Sequence, residues 1–150
     1  MKLTSETLAF LKNVEGKKIV FTNGCFDIIH KGHVTYLNEA KKLGDILIVG
    51  INSDKSVKKL KGESRPINKE QDRLFVLENL KSVDKAEIFG AETPLELIKL
   101  IKPHVLVKGG DWKIEQIVGA QEVISWGGEV RSLGFVEGYS TSKVISQARS

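Results

Sequence analysis

The segment Thr22–His33, with the sequence TNGCFDIIHKGH, decides the fold of this chain. Before it, Lys17–Phe21 ends in an apolar run typical of a strand, and after it Val34–Leu43 has the apolar spacing of a helix. His30 and His33 therefore lie where a strand passes into a helix. Free N–H groups and the positive end of the helix dipole at such a position attract anions. The segment predicts a phosphate site on a strand, a tight loop and a helix start.

Two histidines at this spacing could also be half of a metal site. A zinc site needs at least three protein ligands. The third histidine, His104, follows Pro103 far along the chain, and Cys25 is the only cysteine. The sequence shows no cluster of ligands, so metal binding is the weaker interpretation of the pair.

The composition is that of one globular domain. A chain of 150 residues can bury a core without disulfides or a structural metal. Hydrophobic residues make up 41% and charged residues 28%, which is typical of a soluble protein. Because no apolar run is long enough for a bilayer and no signal pattern is present, we expect a cytoplasmic protein without a membrane partner. The single Cys25 excludes an internal disulfide framework and fits a reducing compartment.

The net charge of +4 does not favour nucleic-acid binding. The lysines are scattered and acidic residues are never far from them. Aromatic residues make up only 7% of the chain and do not cluster with the lysines, as they do in proteins that stack nucleobases. A small phosphorylated ligand needs fewer cations than a duplex does.

Apolar periodicity and breaker residues predict strands that alternate with helices. A turn and cap is expected at Asn52–Asp54, and a basic loop at Lys61–Pro66. The predicted elements are a helix at 5–13, a strand at 18–21, a helix at 33–43, a strand at 45–51, a helix at 69–80, a strand at 85–89, a helix after Thr93-Pro94 that ends before Pro103, a strand at 105–108, one or two helices after Trp112, a strand at 129–133 and a last helix from about Ser140.

This order predicts an α/β fold, a Rossmann-like doubly wound parallel sheet with helices on both faces in a single domain. We assign residues 1–16 to an N-terminal helical extension and 17–150 to the domain itself. In such folds ligands bind beyond the carboxyl ends of the strands, where the strand order reverses. The segments 22–33, 52–54 and 108–112 and the stretch after the last strand are expected to converge there.

At these residues the chain resembles the nucleotidyltransferases with an HxGH signature, and the resemblance covers nearly all of the chain after Gly16. Within that family it looks most like the heptose 1-phosphate adenylyltransferases, the transferase half of a bifunctional enzyme that makes ADP-heptose for lipopolysaccharide. HKGH alone would be a weak signal, but several matches occur in order. They are Phe21–Asp27 through His33, Asn52–Asp54, Leu60–Gly62 through Arg65-Pro66, Val107–Asp111, Gly127–Val130 and Ser140–Ser142.

The resemblance implies a nucleotidyltransferase whose substrates are ATP and a heptose 1-phosphate. A sugar phosphate oxygen would attack the α-phosphorus in line and release pyrophosphate, with Mg²⁺ held mainly by the triphosphate. Because the nucleophile is already an anion, the protein mainly positions two anionic partners and stabilises the developing charge. The resemblance also implies a homodimer. It further implies a separate sugar kinase, since we expect no room in this chain for a kinase domain.

By this resemblance, His30, His33 and Lys61 would be the catalytic residues. The histidines would hold the α- and β-phosphates, while Gly32 would let the backbone come close without a Cβ in the way. Lys61 lies on a glycine-bearing loop that could close over the site. The floor under the nucleotide would be formed by Asn23, Gly24, Cys25 and Phe26.

Further contacts follow from the same resemblance. Asp27 would orient the loop or meet Mg²⁺, although a plain capping carboxylate is an equal alternative. Arg73 and Lys61 can also be solvated cations, and Trp112 can be a packing residue. The segment Ser140–Ser142 is also typical of a helix N-cap, a structural role that needs no ligand. The remaining nucleotide-binding candidates are Arg73, Lys108, Asp111, Ser140, Thr141 and Ser142, and the substrate-binding candidates are Asp27, Asn52, Asp54, Lys61 and Trp112.

Two rival functions stay open. A cytidylyltransferase acting on glycerol 3-phosphate or a similar alcohol phosphate would keep the fold and the chemistry. Cytidylyltransferases of the superfamily often carry an arginine just before the Ser140 segment, where this chain has Phe135, Val136, Glu137 and Gly138, which makes cytidine transfer less favoured. The second rival is a regulatory nucleotide-binding module without turnover. Covalent catalysis by Cys25 is not expected, because nothing beside it resembles a thiol-activating dyad.

Overall fold

The computed structural model of the chain describes residues 1–134 and 137–149. Its strands alternate with helices, as predicted. None of the helices in these two ranges is long and apolar enough to cross a membrane. In chain order the elements are α1 (Ser5–Asn13), β1 (Ile19–Gly24), α2 (Lys31–Lys41), β2 (Ile46–Asn52), α3 (Asp54–Lys61), α4 (Glu70–Glu78), β3 (Lys85–Phe89), α5 (Leu95–Ile101), β4 (Val105–Gly109), a 3-10 turn (Ile114–Gln116), α6 (Ala120–Ser125), β5 (Glu129–Leu133) and α7 (Thr141–Arg149).

The five strands form one parallel sheet in the order β3-β2-β1-β4-β5. Strand β1 lies between β2 and β4, with Ile19 opposite Ile46 and Val20 opposite Val105. The strand order reverses at this place, so the chain leaves β1 and β4 toward opposite faces and opens a crevice at their carboxyl ends. The predicted Rossmann-like doubly wound sheet is confirmed.

Helices cover both faces of the sheet because the buried strands send alternate side chains to opposite sides. Phe21 of β1 packs in a core cluster with Leu97 of α5 and Val123 of α6. Its neighbour Val20 packs on the other face in a cluster with Leu37 of α2 and Leu77 of α4. All seven residues of β2 are buried, which explains its continuous apolar run.

Helix α1 packs against the first of these faces. Val14 belongs to its core cluster and Phe10 packs against it. The buried carboxylate of Glu87 on β3 accepts hydrogen bonds from the backbone N–H of Thr4, at 3.0 Å, and from the hydroxyl of Thr7. These bonds tie the start of α1 to an outer strand of the sheet. The division of the chain at residue 16 stays a prediction.

Helix α3 is not among the predicted elements. Ser53 caps it by accepting a hydrogen bond from the N–H of Ser56, as the predicted turn and cap allows. Its only buried residues are Ser56 and Val57, and four of its eight residues are lysines. Apolar periodicity therefore cannot detect it. The helix matters for the site because Lys61 is its last residue.

Candidate active site

A cleft of about 870 Å³ opens at the carboxyl ends of the strands, where doubly wound sheets bind ligands. Its wall includes the ends of β1, β2 and β4 and the start of α7. Fourteen of the site residues expected from the sequence line it: Asn23, Gly24, Cys25, Phe26, Asp27, His30, Gly32, His33, Asn52, Lys61, Lys108, Ser140, Thr141 and Ser142. Four others do not: Asp54, Arg73, Asp111 and Trp112.

The two histidines close the start of helix α2. Nδ1 of His30, the N-cap residue, accepts hydrogen bonds from the N–H groups of Gly32 at 3.0 Å and His33 at 3.4 Å. In return, Nδ1 of His33 accepts from the N–H of His30 at 3.3 Å. The helix therefore begins at Lys31, two residues earlier than predicted, because a histidine pair performs the reciprocal capping usually done by Ser or Thr with Glu.

Burial sets the charge of both rings, and the capping bonds set their tautomer. Burial lowers the pKa of His33 to about 4; His30 adds to this effect and the carbonyl of Ile28 opposes it. Burial also lowers the pKa of His30. Both imidazoles are therefore neutral at pH 7, and because each Nδ1 is an acceptor, the proton is assigned to Nε2. Each ring can thus donate one N–H to an anionic oxygen.

Four rings, which we call the ring column, follow one another along this wall: Phe26, His33, His30 and Tyr139. Phe26 and His33 are tilted by 57°, and the other neighbouring pairs are stacked. Neighbouring centroids lie 5.2 Å apart for Phe26 and His33, 3.8 Å for His33 and His30, and 6.2 Å for His30 and Tyr139. Phe26 adopts a φ of 48°, a strained conformation for a bulky residue. Tyr139 is 45% exposed and forms the outer end. The column restricts the rotation of both imidazoles.

Gly32 is required by this packing. A Cβ at residue 32 would lie 2.9 Å from Cε1 of His30 and 3.0 Å from Cβ of Tyr139. The resemblance assigned this glycine to close approach of a phosphate. In the structure, the space beside it holds His30 and Tyr139, so the glycine lets the segment before α7 pack on the histidine loop.

Asp27 ties the same loop to residues 65–68. Its buried carboxylate accepts hydrogen bonds at 2.8 Å from Nε of Arg65 and from the N–H groups of Ile67 and Asn68. Burial acts to raise the pKa of Asp27, but these donors outweigh it and lower the pKa. Because N–H donors already occupy both oxygens, the geometry favours loop orientation over metal binding. No group of three His, Cys, Asp or Glu side chains suited to a metal occurs within residues 1–134 and 137–149.

Arg73 lies behind the cleft wall. Its guanidinium is buried and donates to the carbonyls of Cys25 at 2.8 Å and Asn52 at 2.7 Å, and to Oδ1 of Asp54 at 2.9 Å. The resemblance made Arg73 a nucleotide contact and Asp54 a substrate contact. In the structure the two form an ion pair that holds the loop after β1 against the end of β2. This placement makes Arg73 a support of the site.

Cys25 and Lys61 both line the cleft, but their side chains can do different things there. The thiol of Cys25 lies 3.8 Å from Oδ1 of Asn52. Burial raises the pKa of Cys25, although the charges of Lys61, Arg73 and Arg65 oppose the shift. The thiol is therefore protonated near pH 7 and unsuited to nucleophilic attack. Lys61 is exposed and lines the cleft, so its charge can meet an anion there.

A further part of the cleft wall is the segment that leads into α7. The hydroxyl of Ser140 caps the helix, and the hydroxyl of Thr141 donates to the carbonyl of Ile28 at 3.0 Å. This bond joins the wall to the histidine loop. Of the positions where an arginine was sought, 135–136 lie outside the described residues, and 137–138 line the cleft.

The loop after β4 contributes Lys108. Its Nζ lies 5.3 Å from the ring centroid of Trp112, whose indole N–H donates to the carbonyl of Gly109 at 2.9 Å. Trp112 is 45% exposed and Asp111 is exposed as well. Trp112 therefore holds Lys108 by a cation–π contact from outside the cleft.

Several lining residues were not among the site residues expected from the sequence. Arg65 belongs to a stretch that matches the family, and Tyr139 directly precedes another. Their positions beside these motifs could therefore have indicated both residues. No motif in the sequence indicated Tyr36 or Glu92. Tyr36 lies on helix α2 and Glu92 in a loop, and only the folded chain brings them to the cleft. Tyr36 forms a 2.6 Å hydrogen bond with Thr22, and burial raises its pKa to about 12. The full set is Tyr36, Leu60, Arg65, Phe89, Glu92, Thr93, Pro94, Gly109, Val118, Glu137, Gly138 and Tyr139.

Fold and site together define an α/β protein with a cleft, lined by two histidines and by lysines, at the switch point of its sheet. The family model described as cytidylyltransferase-like matches residues 21–147, and the chain belongs to that family.

Known proteins similar to the chain agree with this assignment. The bifunctional protein HldE of Aliarcobacter butzleri (strain RM4018) is 58% identical over 142 residues, which is 95% of this chain and 29% of the relative. The chain thus spans less than a third of the length of the curated relatives it matches.

Solved structures extend the comparison. The lipopolysaccharide core biosynthesis protein from Thermoplasma volcanium GSS1 superimposes with a TM-score of 0.65 at 34% identity, over 83% of this chain and 100% of that one. The pantoate-beta-alanine ligase from Francisella tularensis gives a TM-score of 0.57 at 15% identity, over 93% and 74%. At that identity the ligase shares the fold alone.

Proposed function

We propose that the chain is a nucleotidyltransferase that joins ATP and a heptose 1-phosphate to give ADP-heptose and pyrophosphate. The ordered motifs support this reading, as does the similarity to proteins named bifunctional protein HldE and to a lipopolysaccharide core biosynthesis protein. An oxygen of the sugar phosphate attacks the α-phosphorus in line. The bond to the bridging oxygen breaks, and its electron pair leaves with pyrophosphate.

The histidine pair is the observation that carries the proposal. Two neutral imidazoles, stacked at 3.8 Å, line the cleft at the N-terminus of an eleven-residue helix. Their Nε2–H groups donate to phosphoryl oxygens as charge builds on them, and the helix N-terminus adds its positive end. Since capping bonds already hold both rings, little reorganisation is needed on binding.

Mg²⁺ enters this proposal with the triphosphate. Magnesium commonly keeps several waters and binds phosphates with few protein ligands. When bound, it neutralises part of the phosphate charge. The chain's own residues supply position and hydrogen bonds: the imidazoles at the phosphates, and Lys61 and Lys108 as cations at the rim of the cleft.

A panel of nucleotides tests the reaction. The protein is incubated with heptose 1-phosphate, magnesium and each nucleoside triphosphate in turn, and pyrophosphate release is measured. We expect release with ATP well above that with CTP. Preference for CTP with glycerol 3-phosphate would indicate the cytidylyltransferase instead. Absence of pyrophosphate release in every reaction would reject both transferase activities.

His33→Ala separates an enzyme from a binding module. Loss of one donor to a developing oxyanion lowers turnover by about 10²–10³-fold, while nucleotide affinity changes little. His104→Asn is the matched control, because His104 accepts the N–H of Ile19 away from the cleft. Equal turnover in both variants would contradict a catalytic role for the pair.

Lys61→Met tests the rim cation. We expect a loss of about 10-fold or more in turnover, as for one charged hydrogen bond. Lys59→Met is matched to it, since both lysines lie on α3 and only Lys61 lines the cleft. Similar losses in both would show that only the overall charge of α3 matters.

The setting of the enzyme is part of the proposal. We propose that it works in the cytoplasm as a homodimer and that a separate sugar kinase supplies its substrate. Sedimentation equilibrium tests the dimer: a single species of about 16.6 kDa, the mass of one chain, would reject it. Pairing with a purified heptose kinase, followed by assay for ADP-heptose from the free sugar and ATP, tests the supply of substrate.

A further inference from the structure

Glu92 is an acid in the cleft wall whose oxygens are free. It lies in the loop between β3 and α5, lines the cleft and is exposed. Across residues 1–134 and 137–149 it finds no ion pair and no hydrogen bond. Two other acids of these ranges line the cleft. The oxygens of Asp27 already accept N–H groups, and Glu137 lies in the segment before α7, beside the ring column.

The fold fixes the place of the loop that carries Glu92. Strands β2 and β3 end side by side, and the N–H of Ser53 donates to the carbonyl of Phe89 at 2.9 Å. At the start of α5, the N–H of Leu95 donates to the hydroxyl of Thr93 at 3.4 Å. Glu92 is therefore held between a strand end and a helix start, at the rim of the cleft.

The position of this acid relative to the histidine pair follows from the sheet. The histidines come after β1 and Glu92 comes after β3, which is two strands away. Neighbouring strands are about 4.8 Å apart, so the ends of these two strands are about 10 Å apart. A sugar phosphate with its phosphorus at the histidines can therefore direct its far end, which carries only hydroxyl groups, toward Glu92.

The sugar contacts expected from the sequence leave those hydroxyl groups without partners. Asp27 is occupied by three donors, and the buried amide of Asn52 donates to a serine hydroxyl at 2.9 Å. Asp54 and Trp112 do not line the cleft. Lys61 lines it, but a cation suits a phosphate better than a neutral hydroxyl. A group that binds the hydroxyls therefore has to come from another part of the wall.

The charge of Glu92 suits one end of a sugar phosphate and opposes the other. An ionised carboxylate only accepts hydrogen bonds, and hydroxyl groups can donate them. Such bonds are about twice as strong as those between neutral groups. A carboxylate repels phosphate, however, whereas Lys61, Arg65 and Lys108 elsewhere in the cleft attract it. The two ends of a sugar monophosphate therefore fit two differently charged parts of one cleft.

We propose that Glu92 determines which sugar phosphates the cleft accepts. Its carboxylate accepts hydrogen bonds from hydroxyl groups at the end of the sugar remote from the reacting phosphate, and it repels a second phosphate at that end. This inference rests on the proposed function and narrows its acceptor to a sugar monophosphate with free hydroxyls. Selection of this kind uses an attractive and a repulsive element together.

Calorimetric titration with two ligands tests the proposal: heptose 1-phosphate, and heptose 1,7-bisphosphate, which has a second phosphate at its far end. In Glu92→Gln we expect the Kd of the monophosphate to rise about 10-fold or more, as for a lost charged hydrogen bond. The Kd of the bisphosphate should fall about 5-fold or more, because a repulsion is removed. The Kd of ATP should change by less than about 2-fold.

Glu96→Gln is the matched control. Glu96 is the next acid along the chain, pairs with Lys99 on the surface of α5 and does not line the cleft. Both sugar ligands should bind this variant within about 2-fold of the unaltered protein. Opposite changes for the two ligands, in Glu92→Gln alone, are the result expected of a residue that selects by charge, since a general structural loss would weaken both.

Three results would overturn the proposal. Equal changes in the two variants would show that only the overall charge of the segment matters. Changes of the same sign for both sugar ligands in Glu92→Gln, or no change, would exclude selection by the far end of the sugar. A loss of ATP affinity with unchanged binding of the sugar phosphates would assign the carboxylate to the ribose of the nucleotide.

The titrations need no turnover, so their outcome is separate from that of the nucleotide panel. Opposite changes for the two ligands in Glu92→Gln, without transfer from any nucleoside triphosphate, would remove the proposed function and keep the selection by Glu92. Transfer to heptose 1-phosphate, with binding of both sugar ligands independent of Glu92, would do the reverse.

Discussion

The loop at residues 25–33 and helix α7 both contribute to the wall of the cleft, yet different forces hold them. In the loop, both imidazoles cap α2, Asp27 accepts buried hydrogen bonds, and Arg73 supports the backbone from behind. Helix α7 buries no residue, and its Arg149 lines the same cavity as two other cations, Lys61 and Arg65. The chain itself thus organises the loop, whereas α7 is held by contacts at its surface, such as the hydrogen bond from Thr141 to Ile28.

The largest loss of stability is expected at Asp27, which joins the loop at residues 25–33 to residues 65–68. Asp27→Ala leaves Arg65 and two backbone N–H groups without their acceptor in a buried setting. Breaking a buried ion pair this way costs about 3–5 kcal/mol in the free energy of unfolding. Urea denaturation measures it. Glu63→Ala, an exposed acid in the same segment, should change stability by less than about 0.5 kcal/mol. Equal losses of stability in the two variants would contradict a stabilising role for the hydrogen bonds of Asp27.

A smaller loss is expected where the two walls touch. Gly32→Ala places a methyl group 2.9 Å from the ring of His30 and 3.0 Å from Cβ of Tyr139. Overpacking of this kind costs about 1–3 kcal/mol, although alanine itself favours a helix. Turnover should fall with stability, because the His30 ring must move. Gly90→Ala, where a Cβ meets only ordinary contact at 3.7 Å, is the control and should be close to neutral.

Acid should lower the stability of the protein through His33, in the loop at residues 25–33. The pKa of His33 is about 4 in the folded protein, against 6.5 in the unfolded chain. Because the unfolded chain binds the proton first, this group's contribution is fully present above pH 6.5 and is lost as pH falls toward 4. His33→Gln should therefore show a flatter dependence of stability on pH between 7 and 4.5. An NMR titration checks the cause: a His33 pKa near 6.5 in the free protein would exclude it.

The smallest effect is expected at the outer ring of the column. Tyr139→Ala removes a partly exposed ring whose centroid lies 6.2 Å from that of His30. Aromatic pairs contribute about 0.5–1.5 kcal/mol, which corresponds to a loss of about 2- to 10-fold in turnover. Tyr139→Phe keeps the ring and should restore most of it. If phenylalanine failed as alanine does, the hydroxyl would be the important group and the stacking explanation would fail.

Much of the fold could be predicted from local pattern. The strand at 85–89 and the helix at 5–13 have the predicted bounds. Periodicity failed at α3, since a helix that rests on two buried residues has almost no apolar pattern to detect. Fourteen of the predicted site residues line the cleft because strand ends of a parallel sheet converge. Their roles at the ligand stay predictions.

By itself, the sequence determined the alternation of strands and helices, and with it the edge of the sheet where the histidines lie, because apolar spacing and turn residues act over a few neighbouring positions. Only the tertiary structure decided which side chains from distant parts of the chain line the cleft and which support it from behind. Arg73 was expected to contact the nucleotide, with a solvated helix cation as the alternative, and it is buried behind the cleft wall. Arg149 was not among the expected site residues and lines a second cavity. Burial and charge balance depend on what surrounds a side chain in space, and no short stretch of sequence contains that information.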